Sequence, residues 1–252
     1  MALPPPRPAF VAAGAAPVDM TRYHDRSGGC FAGGCAVLRW RPERGAFAPA
    51  RVDTVRRGDL LRSASAPGGK ARVECVVVLR QPAARPMVTL PGGLVVTPHH
   101  PVRDDAGAWR FPADLARPAP VGGEGCGAVY DFVLDARSGG TLEVGGRSCV
   151  SLAHGLSGCA TLRHPFFGTG RALADLGRRR GWARGRVVFG GAMLRAAPTA
   201  AEPQGLVVGF GDELTDELAE AHPAAAEGAP TPAVGARPRA IAVGSRAKAA
   251  PN

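Results

Sequence analysis

Isoleucine and asparagine occur once each in this 252-residue chain, at Ile241 and Asn252, and lysine only twice, at Lys70 and Lys248. The formal charge of +10 is therefore carried by arginine. Beside 46 Ala, 35 Gly and 24 Pro, that skew is what GC-rich coding produces, so the charge is discounted as a sign of nucleic-acid binding. No apolar run approaches the roughly 18 to 20 residues that would span a bilayer. The N-terminus, MALPPPRPAFVAAGAAPVDM, has neither a charged start nor an unbroken apolar segment. Neither a membrane span nor a standard secretory signal is expected, and the compartment stays open, intracellular by default. The six cysteines include no C-x-x-C pair and are too sparse for a small disulfide scaffold, which directs attention to individual thiols. No repeat of 20 to 50 residues argues for a solenoid or propeller. The length suits one core-bearing domain with appendages and excludes a large multidomain assembly.

What is present divides the chain. Residues 1–29, Pro- and Ala-rich and ending in Gly28-Gly29, read as a flexible leader. Residues 30–155 carry apolar runs of four to six residues punctuated by Gly, Pro and Asp, the texture of an all-β domain. Strands are expected at 36–40, 73–79, 88–90 with 94–97, 130–134, 141–144 and 149–152. Alternation along a strand puts Val73, Cys75, Val77 and Leu79 on one face. Pro91-Gly92-Gly93 reads as a tight hairpin. Residues 156–210 form an extension, with a short helix expected at 171–177 and strands at 187–189 and 206–210. From 211 to 252 the chain turns to Ala, Pro and charge, acidic and then basic, and a disordered tail is expected.

Chemistry concentrates in three segments: Gly28-Gly29-Cys30-Phe31, Thr97-Pro98-His99-His100, and Tyr130-Asp131-Phe132 running on to Cys149. A Cys directly after two glycines can swing its thiol back onto the Gly29 carbonyl, converting the Gly29–Cys30 amide into a thioester. A thiol is a poor nucleophile until deprotonated, and the departing Cys30 amine must gain a proton. Both demands need an acid/base near neutrality, the niche of histidine.

In order and spacing, these motifs resemble the hedgehog/intein, or Hint, self-processing domain, and most of all the Hint domains found beside von Willebrand A modules. The likeness covers roughly residues 28–190 and includes the Cys-Phe opening, the Gly58-Asp59 turn, the Thr-x-x-His motif and the Tyr-Asp-Phe strand. It implies a compact, horseshoe-like, all-β Hint fold that cleaves its own backbone between Gly29 and Cys30. It assigns the proton to His100 and a bond on the scissile amide to Thr97, and it matches Asp131 to a family aspartate. The segment Thr141–Cys149 looks like a strand pair with a late, processing-linked cysteine, so Cys149 stands either opposite Cys30, to assist the shift or trap the leader, or as a small hydrophobe in a closing strand. No carboxylate follows the hedgehog pattern on the strand at 73–79, which holds Cys75 and Val78, and sterol-like transfer is therefore doubted. Residues 1–251 hold no Asn, so splicing by Asn cyclisation is not expected.

The implied substrate is the chain's own N-terminal segment, with water or a small nucleophile as acceptor, no cofactor and a monomeric state. A metal site from Cys30, Cys35, His99, His100 and Cys149 is disfavoured because no second short-spaced Cys pair completes it. His154 stands either in the slot before a splice junction or in an ordinary turn, and no role is assigned to His164. The run Arg178 to Arg186, with five Arg and Trp182, reads first as a solvated turn and second as an anion site. The rival to autoprocessing is an inactive Hint-fold β module that binds protein or nucleic acid through that run.

Overall fold

A computed structural model describes residues 29–80, 85–121, 127–190, 192–199 and 205–214. The expected leader through residue 28 and the tail from 215 onward lie outside the described residues. In chain order the strands are β1 (Phe31–Ala32), β2 (Ala36–Arg41), β3 (Ala46–Arg51), β4 (Leu60–Arg62), β5 (Lys70–Arg80), β6 (Arg85–Leu90), β7 (Leu94–Val96) and β8 (Val102–Arg103). They continue as β9 (Trp109–Arg110), β10 (Ala119–Val121), β11 (Ala128–Leu134), β12 (Thr141–Val144), β13 (Arg147–Val150), β14 (Arg186–Phe189), β15 (Met193–Arg195) and β16 (Val207–Phe210). Fourteen of them form one sheet in the order β10-β6-β7-β1-β11-β5-β4-β2-β12-β13-β8-β9, with β3 on β2 and β14 on β5, while β15 and β16 pair separately. The protein is all-β, as its short apolar runs predict. No described helix is long and apolar enough to cross a membrane.

Turn chemistry fixes the register where the sequence signals it. Leu90 pairs with Leu94 across Pro91-Gly92-Gly93, and φ is 90° at Gly92 and 79° at Gly93, a left-handed backbone that only glycine adopts cheaply. Gly145 and Gly146 do the same between Val144 and Arg147, forming a two-residue hairpin. That turn starts β13 at Arg147, two residues earlier than the apolar run at 149–152 suggests. β3 is not legible because Pro49 and three alanines carry no strand signal. It survives because it pairs only with β2, and an edge tolerates a residue without an N–H.

The sheet buries both faces. One cluster contains Phe31, Val37, Leu61, Val73, Val76, Val78, Val96, Phe132, Leu142 and Cys149, drawn from strands near both ends of the order. The second contains Cys30, Cys75, Val77, Leu79, Val129 and Val133 beneath Phe166, Phe167, Phe189 and Phe210 of the extension. The expected alternation holds for Cys75, Val77 and Leu79 but not for Val73. Register shifts between Val133, which faces Cys75, and Leu134, which faces Val73, so Glu74 is an extra residue on β5 and Val73 turns to the other face.

The described residues of 156–210 are integral to the fold. Along β5, β4 covers only Lys70 to Arg72, and β14 runs parallel to Val76–Leu79, covering an edge of β5 that would otherwise be open. The helix Gly170–Leu176 starts at Thr169, whose hydroxyl accepts from Arg171 N–H at 3.2 Å. Residues 211–214, expected to belong to the tail, are bonded into the fold. Leu214 N–H donates to Val188 O at 2.8 Å, and the Glu213 carboxylate accepts from Arg180 N–H (2.8 Å) and Gly181 N–H (2.7 Å). These bonds anchor residues that composition alone marks as tail.

Candidate functional site

Phe31 pairs with Tyr130 on one side and Val96 on the other. Continuing that register by one residue sets Cys30 between Asp131 and Thr97, so three residues far apart in sequence share one row of the sheet. Two hydrogen bonds fasten the row. Cys30 N–H donates to Thr97 Oγ1 at 2.9 Å, and Thr97 N–H donates to Cys30 O at 2.9 Å. The first holds the nitrogen of the Gly29–Cys30 amide.

β7 ends at Val96, and the chain then turns through Pro98 and His99, with His100 N–H donating to Thr97 O at 3.3 Å. This i to i+3 turn explains the spacing, since two intervening residues bring His100 back over the strand that Thr97 holds. The ring packs against Phe31, with centroids 4.3 Å apart, and is 1% exposed. Nε2 lies 2.9 Å from Val150 O. A carbonyl can only accept, so Nε2 carries the proton in the neutral ring and Nδ1 is left with a lone pair. Nδ1 faces the Gly29 backbone without a fully formed hydrogen bond. Burial lowers the His100 pKa to about 4, partly opposed by the backbone of Val150 and Gly29, so the ring is neutral at pH 7. His99 points elsewhere, half-buried and edge-on to Phe111 at 5.6 Å.

Cys30 is 1% exposed, and burial pushes its thiol up, with Asp131 adding to the shift and Arg85 opposing it. At rest the thiol is thus protonated and the imidazole neutral. Asp131 is fully buried, and desolvation raises its carboxyl well above the ordinary range although Oδ1 accepts Phe132 N–H at 2.7 Å. A buried carboxyl kept neutral destabilises the fold progressively as pH rises from its ordinary value of 3.8 toward its raised value. Asp131→Asn keeps the shape and the bond to Phe132, so it should stabilise the protein at pH 7 and do so far less at pH 4. Urea unfolding at the two pH values measures this, and a loss of stability at pH 7 would contradict it.

Cys149 is not brought to Cys30. It sits in the cluster on the opposite face, its Sγ donates to Arg147 O at 3.5 Å, and the thiol that influences it is Cys35. Cys35 is itself committed, donating to Val95 O and accepting from Val95 N–H, both at 3.2 Å. Cys75 is a core thiol, pushed up to about 12 by burial. His154 accepts Leu156 N–H at 2.9 Å and is wedged against Gly140 and Gly168, within electrostatic reach of His100. His164 Nδ1 accepts from Phe166 and Phe167 N–H at 3.0 and 3.1 Å and orders the extension's aromatic turn. The arginine run is divided, because Arg179 turns inward to Asp175 and Phe210 O, each at 2.9 Å, while Arg178 stays out.

Sequence reasoning missed the Val150 carbonyl that sets the His100 tautomer, the Phe31 ring that fixes its plane, and Arg85 near the thiol. A backbone acceptor leaves no residue-type signal, and Arg85 is one of many arginines.

The sequence profile of the Vint Hint-domain family matches residues 29–201, beginning one residue before Cys30. No curated protein matches. Similar solved structures include the gp41-1 intein, 12% identical with a TM-score of 0.35, covering 50% of this chain and 100% of that one. Another is the M86 variant of the Ssp DnaB mini-intein, 12% identical with a TM-score of 0.34, covering 50% of this chain and 96% of that one. With a profile match over more than half its length, the chain belongs to the Vint family of Hint domains.

Proposed function

We propose that the domain cleaves its own backbone at Gly29–Cys30 by an N-to-S acyl shift. The observation that carries this reading is the clamp on the scissile amide, with Thr97 Oγ1 accepting from the Cys30 nitrogen and His100 Nδ1 against Gly29. Cys30 Sγ adds to the Gly29 carbonyl carbon, and the bond from that carbon to the Cys30 nitrogen breaks. The thiol proton passes to His100 Nδ1 and then to the departing amine, so the step consumes and releases no proton. Gly29 is left as a thioester on the Cys30 side chain. Water, a thiol or another small nucleophile then takes the acyl group, releasing the upstream segment. A splicing outcome by Asn cyclisation lacks its reactant, because Gly155 follows His154 and no Asn occurs in residues 1–251.

The test uses the full chain incubated with dithiothreitol or hydroxylamine, which intercept thioesters. The larger product should begin Cys-Phe-Ala-Gly on N-terminal sequencing, and Cys30→Ala should stay intact while keeping its fold. A product that starts elsewhere, or cleavage of Cys30→Ala, would refute the reading. A ligated product with an excised interior would move the second cleavage to the region of His154.

A further inference from the structure

Gly29 has a neighbour that the requirement for a reactive carbonyl does not explain. A Cβ at position 29 would lie 2.6 Å from His100 Cγ and 2.9 Å from His100 Cβ, and nearer still to Nδ1. Real Cβ atoms do not approach heavy atoms so closely, so either the ring or the backbone would have to move. The ring has no room to yield. Nε2 is held by Val150 O at 2.9 Å, one face rests on Phe31, and Phe31 is itself fully buried and stacked on Phe132 with centroids 6.3 Å apart. The backbone cannot yield by moving Cys30, whose N–H and C=O are both fastened to Thr97 at 2.9 Å.

We propose that His100 makes the site glycine-specific on the acyl side, so that the domain forms its thioester only with a glycyl carbonyl and the peptide it releases or transfers ends in glycine. This rests on the self-cleavage reading and names the class of acyl group that the site accepts. One imidazole then serves two ends. It reaches the scissile bond because no side chain stands between, and for the same reason it excludes every other residue at that position. An acceptor nucleophile receives a glycyl group, the least hindered acyl a peptide can supply.

Two measurements test this. In the full chain, Gly29→Ala and Gly29→Ser should each form the hydroxylamine-sensitive bond at least roughly 100-fold more slowly than the parent, the loss expected from displacing reacting groups by about 1 Å. Rates within threefold of the parent would overturn the proposal. The second uses the uncleavable Cys30→Ala background and reads stability alone. There Gly29→Ala should lower Tm by about 5 °C when His100 is present and leave it unchanged when His100→Ala has emptied the space. Equal shifts in both backgrounds would overturn the steric claim. If the parent chain forms no thiol-sensitive bond, the self-cleavage reading fails on its own, while the Tm cycle still decides whether His100 excludes a side chain at residue 29.

Discussion

His100→Ala should slow thioester formation at Gly29–Cys30 by roughly 100- to 10,000-fold, the range for losing a general acid/base, while His99→Ala stays within about threefold of the parent. The two residues are neighbours with the same side chain, so the contrast tests geometry alone. His100 is locked over Gly29 by Val150 O and Phe31, whereas His99 faces Phe111. The buried ring also predicts a pH signature. Its base form is needed, and burial holds the pKa at about 4 against an ordinary 6.5. The rate should therefore keep its neutral-pH value as pH falls through 6.5 and drop only near 4, measured by hydroxylamine trapping across that range. An acid limb at 6.5 would mean that the working histidine is exposed. Thr97→Ala should cost less, about fivefold, because it removes one positioning hydrogen bond worth roughly 1 kcal/mol. Equal rates for the two histidine variants would refute the assignment.

The second large effect lies outside the motifs. Phe210→Ala should destabilise the protein by about 3 to 5 kcal/mol, the usual result of emptying a buried phenylalanine site. Phe210 is 1% exposed, stacks on Phe189 at 4.8 Å and meets Phe166 at 5.3 Å and Phe167 at 6.1 Å. Its backbone N–H donates to Asp175 Oδ2 at 2.8 Å, tying the strand to the helix. Against a total stability of about 5 to 15 kcal/mol for a domain, that loss is large, and guanidinium unfolding should show a clearly lower midpoint. Ending the chain at residue 155 should do more. It would uncover the face carrying Cys30, Cys75, Val77 and Val133 and leave the Val76–Leu79 edge of β5 unpaired, so the fragment should be insoluble or bind a hydrophobic dye. A soluble, cooperatively folding fragment that cleaves would show that the extension is dispensable.

The geometry of the candidate site was legible where it is local. Cys30 after Gly29 and the Thr97-x-x-His100 spacing announce themselves because a four-residue turn is the only device needed to bring the histidine back over its own strand. The glycine hairpins were legible for the same reason, since a positive φ demands a particular residue. Which of its two readings Cys149 takes was not, because a likeness in sequence carries no information about which face of a curled sheet a strand presents. Val73 failed through one inserted residue on β5, which a strict period of two cannot register.

By itself the sequence determined the all-β class, the two glycine-bearing hairpins, the thiol, the threonine and the histidine of the candidate site, and that residues 1–251 hold no asparagine. Each of these depends on residue type or on contacts within about four positions. Tertiary structure alone decided that Cys30, Asp131 and Thr97 share one row and that Val150 O sets which nitrogen of His100 is free. It also decided that Cys149 faces away and that residues 156 to 214 close the second face of the sheet. These depend on pairings across 50 to more than 100 positions, where register and sheet curvature choose the neighbours and no local pattern records the choice.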